Sequence, residues 1–333
     1  MRHPLIAVSD SVFPNLDPAR EVFSRVGAEL QLADAATPES ILQVARDADA
    51  LLVTYAEVSA AMIGQMTRCR IIARFGIGVD NVDISAATKS NIVVTRVPDY
   101  CIDEVSDHTM ALLLALARKI PFANSLVQAR RWEMPAVVPL YRLRGSVLGL
   151  VGFGRIPHLV TLKAKSFGLK VISYDPLVSP QTMESAGVVR VDFSELIRVS
   201  DYISIHAPLV PETDRLFNAK VFCKMKPTAY LINTARGPIV DEHALASALD
   251  AGHLAGAALD VLSQEPPSNS PLFGRDNVIL TPHISFYSAE SLIDLQRKAA
   301  EEVVRVLTGN MPRNALNPEA LKLDREPIAT LNG

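Results

Sequence analysis

The chain has 333 residues, 49% of them hydrophobic and 21% charged, with a formal net charge of −3. That length suits about two domains, each able to bury its own core. A pI near 6.2 without a basic tract speaks against a nucleic-acid partner, and three scattered cysteines (Cys69, Cys101, Cys223) speak against a disulfide frame and for a reducing compartment. The opening MRHPLIAVSD lacks the apolar region and cleavage site of a signal peptide. The most apolar helical stretch, 110–117, is too short to span a bilayer. The expectation is a cytoplasmic protein without a membrane partner.

In chain order, apolar runs predict strands at 5–8, 50–54, 71–74 and 92–95, and amphipathic patterns predict helices at 17–26, 39–46, 60–66 and 84–89. Alternation of this kind means a parallel sheet covered on both faces. Val97-Pro98-Asp99 interrupts it. A long helix, 103–117, then leads into a second domain. Residues 130–143, with two prolines and the only tryptophan (Trp132), read as irregular: either an arm that packs on a second subunit or a surface loop. Further on, strands are predicted at 147–151, 170–174, 202–205, 230–233, 256–259 and 278–280. Helices are predicted at 194–198, 219–224, 241–251 and 288–307, the last long enough to return to the first domain. The fold class is α/β, with two doubly wound parallel-sheet domains: 1–102 with 286–333, and 103–285.

The second domain is organised around residues 148–176. An apolar strand stops at Gly152-Phe153-Gly154-Arg155-Ile156, a helical pattern follows, and a second strand ends in Asp175. The glycines let backbone approach a pyrophosphate, whose charge sits on the helix N-terminus at the Arg155 and Ile156 amides. Asp175 lies 21 positions past Gly154 (175 − 154), where a carboxylate accepts from an adenosine ribose and repels a 2′-phosphate. This spacing predicts NAD in preference to NADP. The third glycine of the fingerprint is replaced by Pro157, which a first helical turn tolerates.

Four later strands end in polar residues: His206, Thr234 to Arg236, Asp260, and Thr281 to His283. Ligands bind outside the carboxyl ends of such strands. Arg236 offers a fork that matches a carboxylate. His283 is the side chain suited to proton exchange near neutrality. Glu265, in a Glu-Pro-Pro turn, could bond the far imidazole nitrogen, fix its tautomer and favour its charged form. His206 is expected to be exposed, with Pro208 shaping the adenine side, and Cys101 to be a buried thiol. No metal-ligand pattern is present.

The segments Arg74-Phe75-Gly76-Ile77-Gly78-Val79-Asp80-Asn81, Gly152-Phe153-Gly154, Asn233-Thr234-Ala235-Arg236-Gly237, Val240-Asp241-Glu242, Ala258-Leu259-Asp260-Val261, Glu265-Pro266 and Thr281-Pro282-His283 together resemble the D-isomer-specific 2-hydroxyacid dehydrogenase family. The resemblance covers nearly the whole chain. Asp103 to Asp107 and Phe286-Tyr287-Ser288 resemble its C-terminal-binding-protein branch, which has tryptophan where Phe286 stands. The resemblance implies a flavodoxin-like substrate domain, a Rossmann domain, a cleft that closes over NAD, and a homodimer. It implies that Arg236 binds substrate, that His283 is the acid/base, and that Glu265 is its partner. It puts the substrate carboxylate on amides at Ile77 and Gly78. Cofactor contacts fall at Gly152, Gly154, Arg155, Ile156, Asp175, His206, Ala207, Pro208, Thr213, Thr234, Ala235, Arg236, Asp260 and His283. The formate-oxidising branch carries glutamine where Glu265 stands. Tyr55 and Phe286 either wall a substrate pocket or belong to the core. Two functions follow: an NAD-dependent oxidoreductase on a small 2-oxo or D-2-hydroxy acid, or an NAD(H)-sensing binding protein with little turnover.

Overall fold

A computed structural model describes residues 3–321 and 326–328. The chain divides into two compact units, Met1–Tyr100 with Ser288–Gly333, and Cys101–Tyr287.

The first unit begins β1 (Leu5–Val8), α1 (Asp17–Ser24), β2 (Glu29–Leu32), α2 (Pro38–Ala45), β3 (Ala50–Val53), α3 (Ala60–Ile63), β4 (Ile71–Arg74), α4 (Ile84–Lys89) and β5 (Val93–Thr95). Its five strands are all parallel in the order β2-β1-β3-β4-β5, the flavodoxin-like winding. The inner strands β3 and β4 are buried along their whole length, which is why they read as unbroken apolar runs. β2 had no such signature, because it is an edge strand with three of its four residues exposed.

The second unit runs α5 (Ile102–Ala117), α6 (Ile120–Gln128), β6 (Val147–Val151), α7 (Arg155–Ser166), β7 (Lys170–Tyr174), α8 (Pro180–Ser185), β8 (Val189–Arg190), α9 (Phe193–Val199), β9 (Tyr202–Ile205), α10 (Ala219–Phe222), β10 (Tyr230–Asn233), α11 (Glu242–Asp250), β11 (Gly256–Leu259) and β12 (Val278–Leu280). Its seven parallel strands lie in the order β12-β11-β10-β9-β6-β7-β8, a Rossmann winding with one strand added. Successive side chains of a strand face opposite sides of the sheet, so this one feeds two cores. Leu231 packs with Ile203, Ile205, Phe217 and Leu245 on one face. Tyr230 and Ile232 pack with Leu113, Leu150 and Val160, under α5 and α7, on the other. Residues 130–143 are irregular apart from a short 3-10 turn at Met134–Ala136.

The last helix, α12 (Ala289–Leu307), belongs to the first unit and packs on α1 and β4. Ser288 caps it: its hydroxyl accepts from Ser291 N, and the Ser291 hydroxyl accepts from Ser288 N. Leu292, Leu295, Ala299, Val303 and Val306 form its buried face at helical spacing. A charge at Val303 would strand an unpaired ion there and unseat the helix. Among the described residues no single helix is long and apolar enough to cross a membrane.

Candidate active site

Parallel register sets Tyr174, Val151, Ile205, Asn233, Leu259 and Leu280 in one row across β7, β6, β9, β10, β11 and β12. The residues that follow them are Asp175, Gly152, His206, Thr234, Asp260 and Thr281. At about 4.8 Å per strand, this carboxyl edge is roughly 24 Å long. Between β6 and β9 the winding reverses, and that point is where ligands of doubly wound sheets bind.

Gly152 and Gly154 stand at that point for different reasons. Gly152 has φ +96, and a Cβ there would lie 2.9 Å from the His206 carbonyl oxygen, so glycine lets the β6 and β9 ends close up. Gly154 is extended (φ −87, ψ −156) and precedes α7, and apart from its two chain neighbours no described residue comes within 4 Å of where its Cβ would be. That open space, in front of the first amides of a helix, fits a phosphate. Arg155 is exposed and Ile156 half-buried. Pro157 lies buried in the first turn, as expected of a residue whose missing N–H has no helical partner there, and its carbonyl accepts from the Thr161 hydroxyl at 2.9 Å.

Asp175 is held from three sides. Its Oδ2 accepts from Phe153 N at 2.8 Å, and Oδ1 accepts from Leu177 N at 2.8 Å and Val178 N at 3.2 Å. The first of these bonds ties the acid to the glycine turn itself. A carboxylate has about four acceptor positions, so Oδ2 keeps capacity for a ribose hydroxyl.

His206 departs from expectation. It is half-buried rather than exposed, because its ring turns back so that Nε2 lies 2.9 Å from the Ser204 hydroxyl on the same strand. Burial pushes its pKa down to about 3, so the ring is neutral near pH 7. Beyond it, Ala207 is half-buried and Pro208 exposed. The Thr213 hydroxyl closes the loop, donating to Pro208 O at 2.6 Å and accepting from Val210 N at 2.9 Å. Cys101 is buried, as expected.

The other half of the edge brings together the residues with acid/base chemistry. Glu265 Oε2 is 2.6 Å from His283 Nδ1, and Glu265 Oε1 accepts from Leu262 N at 2.9 Å. The carboxylate thus sits on the Nδ1 side of the ring, with Nε2 on the opposite edge. The Phe286 ring meets the His283 ring edge-on, 6.0 Å between centroids. Arg236 follows β10 on a loop shaped by Asn233, whose Nδ2 donates to Arg236 O and whose Oδ1 accepts from Ala235 N. At Gly237 a Cβ would overlap the Leu262 carbonyl, so the Arg236 loop lies against the loop that carries Glu265. Thr234 and Asp260 are buried. The Thr234 hydroxyl is 3.0 Å from that of Thr109 on α5, and the Asp260 carboxylate accepts from Thr281, Ile284 and Ser285. Their side chains are therefore committed to the fold, which the sequence did not disclose. Glu242, quoted in a resemblance segment without a role, accepts from Ser263 N at 2.7 Å and from the Ser270 hydroxyl at 2.8 Å, fixing the Glu265 loop at both ends.

In the first unit, Ile77 and Gly78 are half-buried in the loop after β4. Asn81 ties that loop to the end of β3, donating to Thr54 O at 3.2 Å and Ala56 O at 2.9 Å. Asp10 accepts from Thr54 N and Tyr55 N. Tyr55 is 41% exposed, so it is not a core residue.

A doubly wound parallel sheet, a glycine turn anchored by an acid, and a carboxylate–histidine pair on one edge define a dinucleotide-type α/β protein with acid/base groups. Residues 110–285 match the family "D-isomer specific 2-hydroxyacid dehydrogenase, NAD binding domain". The chain is 39% identical over 288 residues to a glyoxylate reductase of Thermococcus litoralis, covering 84% of this chain and 87% of that one. It is 37% identical over 306 residues to a D-3-phosphoglycerate dehydrogenase of Methanocaldococcus jannaschii, covering 91% of this chain and 58% of the relative's length. In structure it resembles a D-lactate dehydrogenase of Aquifex aeolicus solved with NAD and lactic acid, with a TM-score of 0.87, 27% identity, and coverage of 94% and 99%. The chain belongs to the D-isomer-specific 2-hydroxyacid dehydrogenase family.

Proposed function

We propose that the chain is an NAD-dependent oxidoreductase that interconverts a small 2-oxo acid and its D-2-hydroxy acid. The observation that carries this reading is the 2.6 Å pair between Glu265 and His283, on the same strand-end row as the glycine turn. When bound, a nicotinamide supplies or takes up the hydride. His283 Nε2 gives a proton to the carbonyl oxygen during reduction and takes it back during oxidation. Glu265 fixes the orientation of the ring through Nδ1 and offsets the charge of the imidazolium. Arg236 is assigned to binding the substrate, and the Ile77 and Gly78 backbone amides are assigned as donors to a carboxylate. The cofactor is assigned to the Gly152–Ile156 turn, with Asp175 on the ribose.

The fixed negative charge of Asp175 favours NAD over NADP. A homodimer is part of the same proposal: Trp132 (89% exposed), Met134 (72%) and Tyr141 (53%) present apolar surface on one short arm, which a second copy would cover. The three free cysteines suit a reducing, cytoplasmic setting.

The test is NADH oxidation, followed by absorbance, against glyoxylate, hydroxypyruvate, pyruvate and aryl-pyruvates, beside NADH binding by fluorescence. Turnover on at least one acid is expected. Tight NADH binding with no turnover on any acid would overturn the enzyme reading in favour of an NAD(H)-sensing protein.

A further inference from the structure

His283 sits at φ +52, a left-handed conformation uncommon for residues other than glycine, although histidine enters it more readily than most. Such a residue stays in place when its surroundings over-determine it. The restraints here converge on Asp260. Its carbonyl accepts from His283 N at 2.8 Å. Its carboxylate, whose side chain is 0% exposed, accepts from Ile284 N at 3.0 Å, Ser285 N at 2.9 Å and the Thr281 hydroxyl at 2.5 Å. The backbone is thus clamped to one residue at His283 and at the two positions that follow.

The remaining neighbour of that clamp comes from α5. His108 Nε2 lies 3.0 Å from Thr281 Oγ1 and 3.5 Å from Asp260 Oδ1. Counting protons fixes the roles. The single hydroxyl proton of Thr281 is given to Asp260, so Thr281 Oγ1 receives from its other neighbour, and His108 Nε2 must carry hydrogen. The direction runs His108 Nε2–H to Thr281 Oγ1, and Thr281 O–H to Asp260. A buried carboxylate is costly unless hydrogen-bonded and compensated, and the polar edge of His108 supplies part of that compensation.

We propose that His108 is a positioning residue for the reaction: through Thr281 and Asp260 it holds the His283 backbone, and with it the aim of Nε2. The inference rests on the reading of His283 as the proton donor. His108 touches neither the reacting atoms nor Glu265 in this chain of contacts; its effect passes through the clamp.

Two substitutions separate positioning from mere packing. His108→Gln keeps an N–H donor at a similar reach, and His108→Leu removes it. His108→Leu is expected to lower kcat roughly 10- to 100-fold, the scale of a small misplacement of a reacting group. NADH affinity should stay within about twofold, since the Gly152–Ile156 turn is untouched. His108→Gln should recover most of the lost rate. Imidazole nitrogen NMR on labelled protein gives a readout that needs no turnover: His108 should show the Nε2–H form near neutral pH, and His108→Leu should shift the His283 ring signals. A His108 ring protonated on Nδ1 alone, unmoved His283 signals, or a His108→Gln variant as slow as His108→Leu would overturn the proposal. If wild type turns over no 2-oxo acid, the proposed function fails while the NMR result still decides the role of His108.

Discussion

Gly154→Ala separates a ligand-binding glycine from a structural one. Gly154 has φ −87 and ψ −156, an extended conformation open to alanine, and apart from its chain neighbours no described residue comes within 4 Å of the added methyl. The folded chain should accept the substitution without strain, and the unfolded chain loses freedom. Stability should hold or rise by about 0.4–1 kcal/mol. Binding should respond in the opposite sense. The methyl occupies the space before the Arg155 and Ile156 amides, and displacing a phosphate from one charged hydrogen bond costs about 1.5–3 kcal/mol. That corresponds to roughly 10- to 100-fold in NADH affinity. Thermal unfolding and NADH fluorescence titration on the same preparation measure both. NADH affinity within about twofold of wild type would refute the phosphate assignment. A lowered melting temperature would show that the glycine is structural. Gly152→Ala is the control: φ +96 and the 2.9 Å approach to His206 O predict a loss of stability whether or not cofactor is present.

Three further outcomes follow from the same geometry. Burial holds His206 at about 3, below its ordinary 6.5, so the folded ring resists a proton that the unfolded chain accepts. Its contribution is complete above pH 6.5 and drains as pH falls from 6.5 toward 3, by at most about 1.4 kcal/mol per pH unit, less for a ring that is only half-buried. Urea unfolding at pH 7 and pH 5 should therefore show a smaller acid loss in His206→Gln than in wild type, and equal losses would contradict the buried-neutral assignment. Asp175→Ser removes the charge that opposes a 2′-phosphate. Because Arg190 Nη2 already lies 3.4 Å from the Asp175 carbonyl, the ratio of kcat/KM with NADPH to that with NADH should rise at least about tenfold. An unchanged ratio would show that Asp175 does not set the choice. Trp132→Ala with Tyr141→Ala should shift sedimentation from dimer toward monomer at micromolar concentration, whereas a monomeric wild type would remove the arm's proposed role.

The legible parts of the sequence were those with local or periodic causes. Central strands such as β3, β4, β9 and β10 are buried on both faces, so each reads as a run of apolar residues. The glycine turn and Asp175 are one supersecondary unit with fixed spacing, and the structure ties them directly through Phe153 N. β2 and β8 were missed because an exposed edge strand carries no hydrophobic pattern. α6 was missed because it opens after Lys119, whose φ of +49 breaks the run from α5. At the candidate site, residue types and strand ends were readable, but the use of each side chain was not. His206 bonds back to Ser204 instead of facing solvent. Asp260 spends its carboxylate on amides 24 and 25 positions away, and the partners of His108 lie on β-strand ends more than a hundred residues downstream. Such commitments are decided by tertiary packing, for which a single sequence has no local signal.

In the proposed reaction His283, held by Glu265, carries the proton in a reduction whose hydride comes from NADH. The most direct measurement is single-turnover NADH oxidation with the best 2-oxo acid, wild type beside His283→Ala, with NADH affinity checked for both. Loss of a positioned general acid should slow the chemical step by roughly 10²–10⁴-fold while NADH still binds. A His283→Ala enzyme that oxidises NADH at the wild-type rate would rule out His283 as the proton carrier.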